Sequence, residues 1–494
     1  MLNALIFFPL FIALAILLLD HRGARFFGLI ASLAILGLNF KIFLAFLDGE
    51  LFDHRIFFKF FRFFTYHVGV DAIALVLMLL CSLMIFLTLL FLRIERKAII
   101  ASIFFLQWTM MGLFSAKDAL LFYIFWELSL LPLIYILGLY GENFKAGIKF
   151  FIYAFAGSVL MLVAMICQAY LNYQVLGIFS FDLDLWKNNV SATPLSWQIL
   201  LFALFFAAFA IKAPLFPLHT WAPKVYARSP IVVSVMLVAF KMAPFGFLQF
   251  CLPLFPDASV YLAPFVMTLC IISVLYCALI AFRARDLKEL IAYSSISHIG
   301  IMVLGIFSFS GFGISGAVFY MFAHGLVTGG LFLMAEVLEQ QYGSVRLDDL
   351  HSLAKKAPGF SIFFALLLLA GVSLPLTLSF VGEFLVLLAL AKVHLLYALL
   401  AGLVVILGAV YMLAVFRKIF FMQTSVPLSA FRLKARQILA LSPMVFLIFY
   451  LGIAPKFLLE PLENESKNLH KVMHLRAIEK DTLDFLSQLG AYNE

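Results

Sequence analysis

Charged residues are scarce in this chain. They make up 12% of its 494 residues, whereas 65% of the residues are hydrophobic and the mean hydropathy is +1.11. Soluble globular chains carry about one quarter charged residues, so the composition excludes that class. Long apolar runs recur along nearly the whole length, and in lipid a run satisfies its backbone polar groups only as a helix. We therefore predict an all-α, multi-pass membrane protein of about fourteen transmembrane helices.

The chain also lacks motifs for metals, cofactors or nucleic acid. Its five cysteines lie singly within apolar runs, without a CxxC pair or a Cys/His cluster. A GxGxxG pattern at 311–316 follows no predicted strand, so it does not indicate nucleotide binding. The net charge of +8 comes from basic residues dispersed in short loops, which argues against a nucleic-acid surface. We expect no metal, no cofactor and no redox chemistry on this chain.

The distribution of basic residues predicts the orientation. Lys and Arg are concentrated in the odd-numbered loops, which the positive-inside rule places in the cytoplasm. An even number of spans then puts both termini on the periplasmic side of a bacterial inner membrane, or on the corresponding side of a mitochondrial inner membrane. The second loop, 48–69, alternates charges with aromatics, as an interfacial hairpin or short helix would. The polar tail 461–494 should lie outside the bilayer.

Prolines interrupt two predicted spans. Pro214 and Pro217 lie within the seventh and Pro375 within the twelfth, so the carbonyls of Ala210 and Gly371 should need water or a polar partner. If spans four to eight and nine to thirteen form two five-helix repeats, each break falls in the fourth helix and the second repeat is inverted. The predicted divisions are an N-terminal three-helix segment, two repeats, and a last span with a polar tail: 1–97, 98–252, 259–420 and 421–494.

Four charged residues fall inside the predicted spans. They are Glu127, Lys212, Lys241 and Glu383. Each costs roughly 2.5–3.5 kcal/mol near the bilayer centre unless it is paired or hydrated. Lys392 lies close enough to a helix end to reach the headgroups, whereas Lys212 and Lys241 lie too deep for that. These buried charges either lock helices together in a scaffold or carry protons.

Three histidines extend the set of candidate groups. His219, His298 and His324 could exchange protons near neutral pH, although a single histidine in an apolar run is equally compatible with packing. Burial disfavours a charged lysine and a nearby carboxylate favours it. Opening or closing a contact between Glu127 and Lys212 would therefore switch the lysine between releasing and holding a proton. Lys, His and Glu side chains at similar depth, joined by water at the broken helices, would carry protons laterally.

Five polar segments in apolar surroundings identify a family. In order they read FWELSLLP, AFAIKAPLFPLHTW, DLKELIAYSSISHIG, FAHGLVTGGLF and SFVGEF. Over about residues 100 to 420 they resemble the antiporter-like proton-pumping subunits of respiratory NADH–quinone oxidoreductase (complex I).

The resemblance implies roles for the candidate residues. Glu127 and Lys212 would form the carboxylate–lysine pair of spans five and seven. Lys241 would connect the two halves, and Glu383 would be the exit residue. The histidines take the remaining roles: His298 and His324 would line the central axis, and His219 matches the family's PLHxW motif.

The resemblance also implies partners. The chain would hold no cofactor, while flavin, iron–sulfur clusters and quinone would lie elsewhere in the complex. Its partners would be the lipid bilayer and other membrane-arm subunits, especially the other two antiporter-like chains.

Lys224, Tyr226 and Glu289 depart from the family pattern. The alternatives are a subunit of a multisubunit cation/proton antiporter or of a membrane-bound hydrogenase; Glu383, where sibling chains usually carry lysine, favours complex I.

Overall fold

The structure, a computed structural model, is almost entirely helical, as the hydropathy predicts. It describes residues 1–57, 64–141, 144–190, 193–422 and 428–491. Helices α1 to α11 lie at Leu2–Leu18, His21–Leu47, Ala72–Phe91, Lys97–Ser115, Ala119–Leu128, Leu130–Tyr140, Phe144–Leu176, Leu183–Asn188, Leu195–Lys212, Ala222–Arg228 and Ile231–Ala239. Helices α12 to α22 lie at Met242–Gly246, Leu252–Leu254, Pro256–Arg283, Leu287–Phe307, Gly311–Tyr342, Leu353–Lys356, Pro358–Gly371, Leu378–Val393, Leu395–Phe421, Ala435–Ile453 and Lys456–Ala491. A π-helical stretch, Phe247–Cys251, joins α12 to α13.

Twelve helical segments of the described chain are long and apolar enough to cross a membrane. The shorter apolar helix α1 and the broken pair α18 and α19 are consistent with two further crossings, which agrees with the predicted fourteen. Helices α15 and α16 are almost wholly buried, whereas α2, α20 and α21 bury only about a third of their residues. The centre of the bundle is therefore α15 and α16, and the outer helices present apolar side chains to lipid.

The second loop forms a hairpin, one of the two predicted alternatives. Strand β1 (Asp53–Phe57) pairs antiparallel with β2 (Thr65–Gly69), with Asp53 opposite Gly69. The β1 side chains are exposed, whereas most β2 side chains are buried against the helices. The rest of the predicted segment, 58–63, lies outside the described residues.

The two predicted helix breaks are present. In the seventh span α9 ends at Lys212, and α10 begins only at Ala222. In the twelfth span α18 ends at Gly371 and α19 begins at Leu378. Both breaks contain the prolines that cannot donate the next helical hydrogen bond.

The Ala210 carbonyl has a polar partner, as predicted, and this partner is a backbone group of the same chain. The Leu215 backbone N–H donates to it at 2.9 Å, because the chain turns sharply after the helix ends. The indole N–H of Trp221 similarly donates to the carbonyl of Ile211 at 2.8 Å. The break in the seventh span is thus closed by hydrogen bonds within the chain.

Two further interruptions were not predicted. Helix α11 ends at Ala239 and α12 begins at Met242, so Lys241 lies between two helical segments of the eighth span. Pro244 lies four residues after Phe240 and cannot bond to its carbonyl. In the fifth span Pro132 has the same relation to Leu128, and the helix is interrupted at Ser129.

Glycines allow the central helices to approach closely. A Cβ at Gly382 of α19 would lie 2.7 Å from the Cβ of Tyr320 on α16 and 2.8 Å from its Cα. A Cβ at Gly313 would lie 2.6 Å from the carbonyl oxygen of Gly305 on α15. The GxGxxG pattern thus includes a small residue that permits helix packing, which is a common device in membrane bundles.

The tail is a long helix that packs on the bundle. The hydroxyl of Ser466 on α22 donates to the carbonyl of Gly311 at the start of α16, at 3.2 Å. The ring of His470 contacts the carbonyl oxygen of Phe309 at 2.7 Å. Its described side chains therefore anchor this helix beside α16.

Candidate proton path

A row of polar side chains crosses the apolar centre of the bundle. The Lys241 Nζ lies 2.8 Å from Nδ1 of His324, and it also donates to the carbonyl of Val238. Lys241 is 3% exposed and His324 is equally buried. The interruption of the eighth span explains this position, because a side chain from a non-helical residue can turn toward α16 without a clash with the preceding helical turn.

The row continues from α16 to α15. The rings of His324 and His298 are 6.0 Å apart between centroids. Nδ1 of His298 lies 2.5 Å from the hydroxyl of Tyr320, which is one turn from His324 on the same face of α16. One histidine on α15 thus faces two polar residues on α16, so the predicted pair His298 and His324 are brought together.

Glu383 ends the row. The Tyr320 side chain lies near enough to interact with the Glu383 carboxylate, although no direct hydrogen bond joins the two among the described residues, and the hydroxyl of Ser373 donates to that carboxylate. Ser373 belongs to the break in the twelfth span, so the proline that interrupts this helix places a hydroxyl beside the buried acid. The carboxylate is 2% exposed, and its Oε1 lacks a hydrogen-bond partner within the described chain.

Glu127 and Lys212 lie near each other without a direct ion pair. The charges are close enough to interact, but among the described residues no N–O distance within 4.0 Å joins them. The Lys212 ammonium instead lies 5.7 Å from the ring centre of Trp126 and 5.2 Å from that of Phe150. Aromatic faces attract cations at such distances. The predicted switch is therefore in its open arrangement.

A small cavity connects Lys212 with the row. Its volume is about 30 Å³, and its walls include Lys212, Lys241, Tyr226 and Ser129. A water needs roughly 10–15 Å³ of such space, so about two waters could bridge the lysines. A second cavity of about 10 Å³ is lined by His298, His324 and Tyr320 and is large enough for about one water.

The residues that depart from the family pattern have different surroundings. Tyr226 is buried in the wall of the lysine cavity, whereas Lys224 is exposed. Glu289 lies 3.6 Å from Arg228 in an ion pair at the ends of α15 and α10. Of the three, only Tyr226 belongs to the candidate path.

His219 is not brought into the row. Its ring stacks on Phe216 with 5.8 Å between centroids and meets the edge of Tyr276 at 5.5 Å. None of the other candidate residues is among its ring contacts in the described part of the chain. This arrangement matches the packing role that the sequence also allowed.

Lys392 lies at the surface. It is exposed on α19, and its ammonium lies 5.2 Å from the ring centre of Phe312. The predicted contrast between this lysine and the two buried ones is therefore observed.

A separate polar cluster holds the hairpin to the loop before α8. Nδ1 of His67 lies 2.9 Å from Asp182, and Nε2 lies 3.2 Å from Asp53. Burial lowers the pKa of His67, but the hydrogen bonds to these carboxylates outweigh it and raise that pKa above its ordinary value. With Asp184 these groups could in geometry hold a metal, yet Arg55 already places its guanidinium 3.0 Å from Asp184 and 3.3 Å from Asp182. The Arg55 guanidinium therefore supplies the positive charge that a metal ion would otherwise bring to these carboxylates.

Sequence reasoning missed two members of the row, Tyr320 and Ser373. Tyr320 lies four residues before His324 in YMFAHGLV, a spacing that places both on one helical face. The second lies two residues before Pro375. Both signals were present in the sequence, but hydroxyl residues are common in membrane helices and give no warning comparable to a buried charge.

Comparison with known proteins identifies the family of the chain. Residues 116–408 match the family described as NADH:quinone oxidoreductase/Mrp antiporter membrane subunits. The chain is 37% identical to the NADH-quinone oxidoreductase subunit M of Rickettsia prowazekii, over 82% of this chain and 83% of that one. It is 35% identical to NADH-ubiquinone oxidoreductase chain 4 of Chondrus crispus, over 93% and 94% of the two chains.

A solved structure agrees as well. A chain of respiratory complex I from Thermus thermophilus with bound NADH superposes with a TM-score of 0.88 at 28% identity, covering 96% of this chain and 100% of that one. Family match, sequence identity and fold thus coincide over most of the length. The chain therefore belongs to the NADH:quinone oxidoreductase/Mrp antiporter family of membrane subunits.

Proposed function

We propose that the chain is a proton-translocating subunit in the membrane arm of NADH–quinone oxidoreductase. The observation that carries this function is the row of proton-exchanging groups, Lys241, His324, His298 and Glu383, inside an otherwise apolar bundle. Buried ionisable groups in membrane helices are costly and commonly mark ion pathways. Their arrangement on four different spans, one beside the next, supports transfer along a line.

The two halves of the proposed path have different connections. In the second half Lys241 bonds directly to His324, so a proton can pass without water. In the first half Lys212 reaches Lys241 only across the small cavity, and Glu127 makes no ion pair with Lys212 among the described residues. Closing the Glu127–Lys212 contact would favour the charged lysine, and opening it would favour release of the proton toward Lys241.

The driving force comes from other subunits in this proposal. The chain supplies side chains that hold and move protons, while electron transfer to quinone takes place in a part of the complex with flavin and iron–sulfur clusters. The other two antiporter-like chains are its proposed neighbours.

We also propose a bacterial inner-membrane location with both termini periplasmic, and two inverted five-helix repeats at 98–252 and 259–420. The breaks seen in their fourth helices support the repeat division.

Lys241→Ala in the assembled complex tests the path. NADH-driven proton uptake by proteoliposomes should fall, because the direct bond to His324 is removed. Lys392→Ala is the matched control, since that lysine is exposed on a membrane helix and lies outside the row. A complex that carries Lys241→Ala, assembles fully and pumps protons at the normal ratio to NADH would refute the proposed path. Pumping that required sodium would instead favour the cation-antiporter alternative.

A further inference from the structure

The row has a gap that the predicted residues do not bridge. His298 lies on α15 and Glu383 on α19, and no hydrogen bond joins them within the part of the chain that the structure describes. Tyr320 of the intervening helix α16 lies between them, with its hydroxyl 2.5 Å from Nδ1 of His298 and near enough to interact with the Glu383 carboxylate, whose Oε1 has no other partner among the described residues. Its side chain is almost fully buried.

We propose that the Tyr320 hydroxyl relays protons between His298 and Glu383. This inference rests on the proposed path. A hydroxyl can donate one hydrogen bond while it accepts another, whereas a carboxylate only accepts and an ammonium only donates. Tyr320 thus has the chemistry needed by a group that serves a titratable residue on each side.

The transfer balances without any further reactant. Protonated His298 gives the proton on Nδ1 to the Tyr320 oxygen, and the Tyr320 hydroxyl proton moves to the Glu383 carboxylate. One N–H bond and one O–H bond break, and two O–H bonds form. Neutral imidazole, neutral phenol and neutral carboxylic acid result, so the positive charge of the histidine and the negative charge of the glutamate both disappear. The starting state returns when Glu383 releases its proton, the hydroxyl rotates back toward the carboxylate, and His298 takes a new proton from the preceding groups of the row.

The packing keeps the relay groups at a fixed spacing. Gly382 precedes Glu383 and brings the backbone of α19 against Tyr320, where any larger residue would collide with the Tyr320 backbone. Gly316 makes a similar approach one turn earlier, where a Cβ would lie 2.7 Å from the Cβ of Leu385. Two close helix approaches therefore hold the backbones that carry the phenol and the carboxylate at a fixed spacing.

A structural role for Tyr320 makes a different prediction. Buried polar groups usually need hydrogen-bond partners, so the phenol could merely satisfy its neighbours, and its ring could merely fill space. If ring packing were its only role, Tyr320→Phe would keep function and only Tyr320→Leu would impair it. If the hydroxyl relays protons, Tyr320→Phe alone already interrupts transfer.

The test compares Tyr320→Phe, Tyr320→Leu and Tyr342→Phe in the complete complex. Tyr342 lies on the same helix and donates from its hydroxyl to the Ser429 carbonyl at 2.8 Å, so it controls for loss of a bonded phenol outside the row. We expect Tyr320→Phe to slow NADH-driven proton transport by about a hundredfold or more, the lower end of the usual contribution of a proton-transfer group. Tyr342→Phe should leave the rate unchanged.

The outcomes separate this inference from the proposed function. Normal pumping by Tyr320→Phe with loss of pumping by Glu383→Gln overturns the relay and leaves the path intact. Normal pumping by both variants overturns the path as well. Impaired pumping by Tyr320→Leu together with normal pumping by Tyr320→Phe assigns the residue to packing and refutes the relay.

Discussion

The close approach of α19 to α16 allows a direct test by adding one carbon. Gly382→Ala places a Cβ 2.7 Å from the Cβ and 2.8 Å from the Cα of Tyr320. Because non-bonded carbons prefer about 3.5–4.0 Å, α19 must move away from α16 by roughly 1 Å. Overpacking of this kind costs about 1–3 kcal/mol. Glu383 is the next residue and moves with the helix.

This displacement should lower both stability and pumping. The purified complex with Gly382→Ala should unfold at a lower temperature than wild type, and its proton uptake per NADH should fall because the Glu383 carboxylate moves away from the phenol. Gly402→Ala is the control, since a Cβ at that position on α20 meets nothing within 4 Å. If Gly382→Ala matched the Gly402→Ala complex in both measurements, the spacing between α16 and α19 would not control proton transfer.

Two predictions concern other parts of the chain. The pair of His67 and Asp182 stabilises the hairpin, because pairing raises the pKa of His67 and lowers the pKa of Asp182. The contribution of the histidine to stability is complete below about pH 6.5 and is lost as pH rises through its raised pKa, whereas the contribution of the aspartate is lost as pH falls through its lowered pKa. The pair is therefore most stabilising between the two folded-state pKa values. His67→Gln should therefore abolish the loss of amide-exchange protection on the alkaline side, after correction for intrinsic exchange, and an unchanged profile would contradict this assignment. Gly112→Ala should destabilise the protein by about 1–3 kcal/mol, because a Cβ at that position lies 2.2 Å from the Phe125 ring. Gly37→Ala is the control: a Cβ there meets nothing within 4 Å, so this variant should be neutral or stabilising in thermal unfolding. Equal unfolding midpoints for the two variants would refute the packing argument.

The sequence predicted the charged members of the site because charge is rare in lipid and has few structural uses there. Glu127, Lys212, Lys241 and Glu383 all lie at or near helix interruptions, and the family and the helical membrane fold predicted from the motifs are confirmed. The roles of these four residues in proton transfer stay predictions. The lack of a direct ion pair between Glu127 and Lys212 among the described residues could not be predicted from spacing, since side chains on different helices meet only through tertiary packing.

Helix breaks were predicted only in part. Pro214 and Pro375 were recognised, but Pro244 was not, although it interrupts the helix at Lys241. Proline alone is not decisive, because Pro9 and Pro264 lie inside continuous helices. Whether a proline bends or ends a helix depends on whether neighbouring groups can bond the freed carbonyl, and a single sequence does not contain that information.

Helix α16 differs from the helices around it in a way that bears on motion. It runs unbroken from Gly311 to Tyr342, and it carries both Tyr320 and His324. Their partners Lys241 and Glu383 lie on spans with interruptions, where dihedral changes are easiest. The unbroken helix α16 is therefore the rigid element, and the interruptions of the neighbouring spans are the hinges. Any cycle of making and breaking contacts along the row should therefore move Lys241 relative to α16, while the spacing of the Tyr320 phenol to the His324 imidazole and to the Glu383 carboxylate stays constant.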